Sequence, residues 1–230
     1  MPLISVITIA KKEEDLIELR QCLSNQTFKD FEFVFSTKGT IPEAWNDAII
    51  KAKGDYIIFT ESDAQPLHDN WLEEISKFLE KNTILKGLEI NPTHLNMCNL
   101  VCDAAILKKM GFNEKFKVAE DTEFFARLRK NGISIKQINS FPVIHTPSQS
   151  WKKTVTRSFL YGRLMIKILI LHGKKNIDNV NNSYPKLKKT KSINPISNRV
   201  RIIMENFLFL LGLFVGIVIY FPFYFIKKER

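Results

Sequence analysis

The chain has 230 residues, of which 45% are hydrophobic and 25% charged, a balance that excludes a disordered polymer and is typical of a globular protein. That length is sufficient for one hydrophobic core and an appendage. The formal net charge of +10 lies in the C-terminal third, because residues 150–230 hold 16 Lys and Arg against three Asp and Glu. Such a basic segment indicates an anionic membrane surface, a nucleic acid or a solvated tail.

The first 60 residues alternate between strands and helices. Apolar runs predict strands over residues 3–9, 31–35 and 55–60, and apolar residues at helical spacing predict helices over residues 15–23 and 42–53. This order predicts an α/β fold with a doubly wound, mostly parallel sheet.

The remainder of the chain continues the alternation and then changes in composition. Predicted helices cover residues 70–81, 103–110, 120–130 and 151–172, and predicted strands cover 84–90, 134–138 and 143–145, with a loop over 91–99. We expect one domain over residues 1–172, a basic linker over 173–201, a membrane-spanning or membrane-interfacial helix over 202–226 and a basic tail over 227–230. Residues 207–226 contain no charged residue, a length that suits a membrane span, although a buried core helix is the alternative.

Two acidic residues directly follow the predicted strand over residues 55–60. Glu61 and Asp63 are separated by one serine, and Pro66 ends the segment. Ligands bind beyond the carboxyl ends of strands in open α/β sheets. Carboxylates at this place can hold a hard divalent cation, Mg²⁺ or Mn²⁺, which in turn can hold phosphate oxygens.

Four segments, taken in chain order, resemble the family 2 glycosyltransferases. They are ISVITI, CLSNQTFKDFEFVF, EAWNDAIIKAKGDYIIFTESDAQP, and GFNEKF followed by Glu120 and Asp121. The third is similar to the segment that ends in the Asp-x-Asp-type metal motif, and the fourth to the Gly-Phe-Asp-Glu and Glu-Asp motifs. The resemblance covers residues 3–165 and implies the GT-A fold and transfer of a sugar from a nucleotide-sugar donor, with inversion, to a saccharide, lipid-linked or other hydroxyl acceptor.

The resemblance also implies roles for particular residues. Asp63 and Glu61 would hold the metal, and Asp121, beside Glu120 at a helix start, would act as the base on the acceptor hydroxyl. Helix capping is the alternative role for the Glu120–Asp121 pair, and His145 either completes the metal site or is structural. The expected donor-binding residues are Ser36, Thr37, Asn46, Glu61 and Asp63. Arg157 and Arg163 either reach the diphosphate or lie on a solvated face.

The chain departs from the family pattern around the nucleotide. Ala10, Lys11 and Lys12 replace the usual Thr-Tyr-Asn run, Ser36 and Thr37 replace an Asp pair, and Trp45 replaces an Arg. Two alternatives therefore stay open: a catalytically inactive, membrane-tethered protein that binds a nucleotide sugar, and a nucleotidyltransferase on a related fold.

The expected partners and location follow from the C-terminal third and from the cysteines. Residues 173–201 lack the interleaved aromatic side chains of a nucleic-acid site, and they adjoin an apolar segment. We therefore expect membrane lipid, and no nucleic acid, as a macromolecular partner. Three cysteines favour reduced thiols, and the expected location is a membrane with the catalytic domain on its cytoplasmic side.

Overall fold

The computed structural model describes residues 2–90, 96–145, 151–177 and 195–228, and within the two C-terminal helices it describes the side chains of residues 157–172 and 204–220. The strands are β1 (Ile4–Ile9), β2 (Phe31–Ser36), β3 (Tyr56–Phe59), β4 (Ala64–Pro66), β5 (Ile84–Lys86), β6 (Glu89–Ile90), β7 (Leu100–Asp103), β8 (Ile135–Gln137) and β9 (Val143–His145). The helices are α1 (Ile17–Ser24), α2 (Ile41–Lys51), α3 (Trp71–Ser76), α4 (Ala104–Met110), α5 (Glu120–Lys130), α6 (Trp151–His172) and α7 (Pro195–Lys228).

Six strands form a central sheet in the order β2-β1-β3-β7-β5-β8. β1 pairs in parallel with β2 and β3, β5 pairs in parallel with β8, and β7 runs antiparallel to both of its neighbours. The sheet is therefore mostly parallel, which confirms the predicted α/β architecture. Since β1, β2 and β3 run in one direction, their carboxyl ends open on one edge of the sheet, where ligands bind in this fold class.

Apolar side chains cover both faces of the central sheet. In β3, Ile57 and Phe59 belong to the cluster that includes α2, α4 and α5, whereas Ile58 belongs to the cluster that includes α1 and α3. Alternating side chains of one strand thus enter two cores. This arrangement explains why the β3 sequence is a continuous apolar run.

A second sheet of three strands, in the order β4-β9-β6, lies beyond the end of β3. β9 pairs antiparallel with β4, so that His145 lies opposite Ala64. On its other side β9 pairs in parallel with β6, where Glu89 lies opposite Val143. Because Ala64 directly follows Asp63, this pairing brings His145 next to the acidic loop.

The predicted strand over residues 84–90 is two strands in different sheets. β5 belongs to the central sheet and β6 to the second sheet, and Gly87 separates them. A Cβ atom on Gly87 would meet a ring carbon of Phe141 at 2.2 Å, so a glycine is needed where the chain passes this ring.

Two other elements differ from the prediction. β7 was not predicted and lies between the predicted loop over residues 91–99 and the predicted helix over 103–110. The helix predicted over residues 70–81 ends at Ser76. After Ser76, the amide of Phe78 donates to the carbonyl of Ile75, three residues earlier, which forms a tighter turn than that of an α-helix. Phe78 is 37% exposed.

α6 and α7 pack against each other through glycines. A Cβ atom on Gly212 would lie 2.1 Å from the carbonyl oxygen of Phe159, and one on Gly162 would lie 2.1 Å from the carbonyl oxygen of Phe209. α7 begins at Pro195, within the predicted linker, and residues 178–194 of that linker lie outside the described residues. In the part of the chain that the structure describes, no helix is both long enough and apolar enough to cross a membrane, so the predicted membrane helix is not confirmed.

Candidate active site

Two carboxylates and an imidazole meet at the carboxyl end of β3. Nε2 of His145 lies 3.2 Å from Oε2 of Glu61 and 3.4 Å from Oδ1 of Asp63. The His145 side chain is 6% exposed, whereas those of Glu61 and Asp63 are 32% and 37% exposed. The cluster is therefore anchored in the protein at the histidine and open to ligands at the carboxylates.

The donor set of this cluster fits a divalent cation. Ligand atoms of Glu61, Asp63 and His145 all lie within 4.8 Å of one another. Nε2 of His145 is buried and faces the two carboxylates. Carboxylate oxygens suit Mg²⁺ and Mn²⁺, and an imidazole nitrogen suits several transition metals. A cation bound between these three residues would take Nε2 as one of its ligands.

The carboxylates of Glu61, Asp63 and Glu89 surround His145 and favour a positive charge at this place. Burial of the ring lowers its pKa, but hydrogen bonding with Asp63, Glu61 and Glu89 outweighs burial and raises the pKa of His145 to about 11. A divalent cation would bring its own positive charge to the same place.

Behind His145 lies a buried polar cluster that the sequence analysis did not single out. Oε1 of Glu89 lies 2.6 Å from Nδ1 of His145, and Oε2 of Glu89 lies 3.1 Å from Nζ of Lys86. Burial raises the pKa of Glu89, but the His145 hydrogen bond and the charge of Lys86 prevail and lower it to about 2. A charged pair inside the otherwise apolar segment of residues 84–90 was the signal available in the sequence.

Glu120 and Asp121 begin α5 and face the same region. Glu120 is 7% exposed, and its Oε2 atom is buried without a hydrogen-bond partner. Burial, followed by the charge of Asp121, raises the pKa of Glu120 to about 8, and the charge of Glu61 adds to this rise. The first turn of α5 is thus within electrostatic reach of the Glu61–Asp63–His145 cluster.

Asp121 is half-buried and does not occupy the capping position of α5. That position belongs to Ala119, which has a left-handed backbone with φ of 61°. Oδ1 of Asp121 accepts hydrogen bonds from the amide and the hydroxyl of Thr122, at 2.6 and 3.2 Å. The Thr122 hydroxyl also makes a short hydrogen bond with the Tyr161 hydroxyl of α6, so α6 supports the start of α5.

A cavity of about 990 Å³ lies at the carboxyl ends of β1 and β2 and includes Asp63 of the cluster. Three lysines line it, Lys11, Lys38 and Lys117, and the sequence analysis assigned a binding role to none of them. The other lining residues are Ile9, Ala10, Asp15, Thr37, Gly39, Thr40, Ile41, Ala44 and Ser62. The cavity thus has cationic side chains on its walls and a candidate cation site at one end, a combination that suits a diphosphate.

The three predicted donor-binding residues of β2 and α2 have different surroundings. Thr37 lines the cavity. Ser36 is 2% exposed and donates to Oδ2 of Asp47 at 2.7 Å, so its side chain holds α2 against β2. Asn46 exchanges two hydrogen bonds with the backbone of Phe112, at 3.0 and 2.6 Å, and therefore fixes the segment that leads to α5. Neither Ser36 nor Asn46 lines the cavity.

The two predicted arginines of α6 also differ. Arg157 is exposed, and its charge acts on Glu120, which places it on the side of α6 that faces the start of α5. Arg163 is half-buried, and its Nε atom lacks a hydrogen-bond partner. Arg157 is therefore within electrostatic reach of Glu120.

Comparison with known proteins gives both a family match and a shared fold. Residues 11–87 match the family model described as "Glycosyl transferase family 2". No curated protein sequence matches the chain. The match ends before β6, so it contains Glu61 and Asp63 but none of Glu89, Glu120, Asp121 and His145.

Several solved glycosyltransferases have a similar structure. A fragment of S. aureus TarS, residues 1–349, aligns with a TM-score of 0.57 at 17% identity, covering 93% of this chain and 81% of that one. The mannosyltransferase PcManGT from Pyrobaculum calidifontis, solved with GDP-Man and Mn²⁺, aligns with a TM-score of 0.60 at 13% identity, covering 94% and 73%. Glucosyl-3-phosphoglycerate synthase from Mycobacterium tuberculosis, solved with Mn²⁺ and UDP, aligns with a TM-score of 0.52 at 14% identity, covering 73% and 78%. The chain therefore has the GT-A fold of these glycosyltransferases, and its residues 11–87 are similar to glycosyl transferase family 2.

Proposed function

We propose that the protein is a metal-assisted glycosyltransferase that moves a sugar from a nucleotide-sugar donor to an acceptor hydroxyl with inversion. The observation that carries the proposal is the meeting of three features at one sheet edge: the Glu61–Asp63–His145 cluster, the lysine-lined cavity and the acidic start of α5. The family match and the glycosyltransferases that share the fold support the same reaction class.

The cavity and the adjoining Glu61–Asp63–His145 cluster together suit a nucleoside diphosphate. We assign the diphosphate to the boundary between them, because Asp63 belongs to both and Lys11, Lys38 and Lys117 offset negative charge on the cavity side. Glu61, Asp63 and His145 would hold a divalent cation, which would stabilise the negative charge of the leaving diphosphate when bound. Thr37, which lines the cavity, would contact the donor together with Asp63.

Inversion needs a base on the side of the sugar opposite the leaving group. Asp121 suits this role because its half-buried carboxylate lies at the start of α5, beside Glu120. Asp121 would then accept the proton of the acceptor hydroxyl as the new bond forms. Hydrogen bonds from Thr122 hold the carboxylate in place without neutralising it.

A nucleotide-sugar panel tests the donor side of this proposal. We expect UDP- or GDP-sugars to raise the melting temperature of the full-length protein in the presence of Mn²⁺ and to have less effect in its absence, because the cation links the carboxylates to the diphosphate. Differential scanning fluorimetry with matched nucleoside monophosphates as controls gives the measurement. The absence of stabilisation by every sugar nucleotide, with Mn²⁺ bound, would contradict donor binding.

We also propose that α7 brings the protein to a membrane, with the catalytic domain on the cytoplasmic side. Phe207, Leu210, Phe214 and Val218 are each more than 60% exposed, and their spacing of three or four residues places them on one face of α7. The C-terminal third supplies 16 basic residues, which suit anionic lipid headgroups.

Co-sedimentation with vesicles tests the membrane proposal. We expect the full-length protein to bind vesicles that contain phosphatidylserine, and a Phe207→Ser/Phe214→Ser variant to bind at least about tenfold more weakly, because each buried phenylalanine contributes about 1.5–3 kcal/mol. Ile50 is 81% exposed on α2, so Ile50→Ser is a control that removes an apolar side chain elsewhere. Equal vesicle binding by the wild type and the double variant would rule out this face of α7 as the contact.

A further inference from the structure

The cluster behind His145 contains a lysine that is entirely enclosed by the protein. The side chains of Lys86 and Glu89 are both 0% exposed, and Nζ of Lys86 lies 3.1 Å from Oε2 of Glu89. Nζ also donates to Oδ1 of Asn96 at 2.9 Å and makes a short hydrogen bond with the carbonyl oxygen of Cys98. The ammonium group is therefore fully supplied with acceptors.

Glu89 connects this lysine to the histidine of the candidate metal site. Its Oε1 atom accepts hydrogen bonds from Nδ2 of Asn96 at 3.0 Å and from Nδ1 of His145 at 2.6 Å. With Nδ1–H held in this way, the other ring nitrogen, Nε2, points to Glu61 and Asp63. Both the rotation of the ring and the position of its donor nitrogen depend on Glu89.

The chain path explains how the two charges come together. Lys86 ends β5 in the central sheet, and Glu89 begins β6 in the second sheet, with the break at Gly87 between them. His145 ends β9, which pairs with β6. The pair therefore lies where the two sheets meet, directly behind the cluster.

Stability alone is a weak explanation for this pair. Removing two charges from water costs several kcal/mol per ion, and replacing a buried ion pair by apolar residues of similar volume is often neutral or stabilising. Histidines that bind metals, in contrast, usually donate their second ring N–H to a carboxylate or carbonyl, and loss of that partner lowers metal affinity by about 10–100-fold.

We infer that Lys86 and Glu89 are positioning residues for the metal site: Glu89 holds His145 through Nδ1 so that Nε2 is presented as a metal ligand, and Lys86 and Asn96 hold Glu89. This inference rests on the proposed function in its assignment of a cation to Glu61, Asp63 and His145. Lys86, Glu89 and Asn96 are not among the residues that line the cavity, so we expect their role to be separate from donor binding.

Two variants separate positioning from folding. Glu89→Gln keeps the shape of the side chain but can turn its amide N–H₂ toward Nδ1, which would favour the ring form with a proton on Nε2. Lys86→Met/Glu89→Leu replaces the pair by apolar residues of similar volume, so the fold is expected to survive while the acceptor of Nδ1–H is lost.

The chain offers a matched control in a second buried glutamate that contacts a histidine. Glu123 on α5 has a side chain that is 1% exposed, and Oε1 of Glu123 lies 3.1 Å from Nε2 of His172 and 3.0 Å from Nε of Arg127. Glu123→Gln removes the same charge from the same kind of network. It belongs to no part of the metal site, so it should change stability without changing metal affinity.

Calorimetric titration of the full-length proteins with Mn²⁺ alone, together with their melting temperatures without metal, gives the test. We expect Glu89→Gln and Lys86→Met/Glu89→Leu to bind Mn²⁺ about 10–100-fold more weakly than wild type, and Glu123→Gln to bind it as wild type does. We also expect the double variant to remain folded at the temperature of the titration.

Three results would overturn the inference: Mn²⁺ affinity within twofold of wild type in either variant, failure of both variants to fold, or no Mn²⁺ binding by the wild type. If Mn²⁺ binding behaves as expected but no sugar nucleotide stabilises the protein, the positioning role stands and the glycosyltransferase proposal fails. The two proposals can therefore be distinguished within one set of measurements.

Discussion

Replacing Asp63 with alanine should abolish Mn²⁺-dependent binding of the nucleotide-sugar donor. Asp63 is the residue that belongs both to the carboxylate cluster and to the cavity wall. The loss of Asp63 leaves only Glu61 and His145 as candidate ligands of the cation. The loss also removes the one carboxylate of the cluster that lines the cavity assigned to the donor. Calorimetric titration of donor, with and without Mn²⁺, measures the effect in the variant and in wild type.

An aspartate at the other end of the same strand provides the control. Asp55 precedes β3, its side chain is 62% exposed, and its nearest cation is Lys81 at 4.0 Å. Asp55→Ala therefore removes an equal charge far from the cavity and should leave donor affinity unchanged. Wild-type donor and Mn²⁺ affinity in Asp63→Ala would refute the metal role of Asp63.

Replacing Asp121 with asparagine should reduce sugar transfer by about 10²-fold or more, the usual scale for loss of a general base. Asparagine keeps the shape and can still accept hydrogen bonds from Thr122 through its Oδ1 atom, but it cannot take a proton from the acceptor hydroxyl. Donor affinity should stay near that of wild type, since Asp121 does not line the cavity. Steady-state transfer, or donor hydrolysis where no acceptor is available, gives the rate, and calorimetry gives the affinity.

The same experiment distinguishes catalysis from helix stabilisation. Asparagine and aspartate are about equally good at helix starts, so a purely structural Asp121 predicts a near-normal rate in the variant. Glu74→Gln neutralises a first-turn acid of α3 and controls for the loss of such a charge. A near-normal rate in Asp121→Asn would remove this residue from the mechanism and would favour a protein that binds the donor without transferring it.

The elements with long or continuous patterns could be predicted from the sequence. α5 and α6 have the predicted bounds because each shows helical periodicity over three turns or more, and β1, β2 and β3 have the predicted order because each is a distinct apolar run. The acidic loop at Glu61 and Asp63 could be located because it directly follows one of those strands. Local sequence is sufficient in each of these cases.

The contacts that depend on distant strand pairing could not be predicted from local patterns, and His145 was a candidate metal ligand only through the family resemblance. His145 reaches the acidic loop only because β9 pairs with β4, and Glu89 reaches His145 only because the chain breaks at Gly87 and enters the second sheet. The cavity likewise brings together Lys11, Lys38 and Lys117 from three separate segments. No periodic pattern within a segment carries that information.

Consumption of a nucleotide sugar by the full-length protein with Mn²⁺, followed by ¹H NMR, is the most direct measurement of the proposed activity. We predict release of the nucleoside diphosphate together with a sugar product whose anomeric configuration is opposite to that of the donor, and loss of this turnover in Asp63→Ala. A donor that binds but remains intact, with and without added saccharide acceptors, would contradict the assignment as a transferase. Turnover with retained anomeric configuration would contradict the role of Asp121 as the base in a direct displacement.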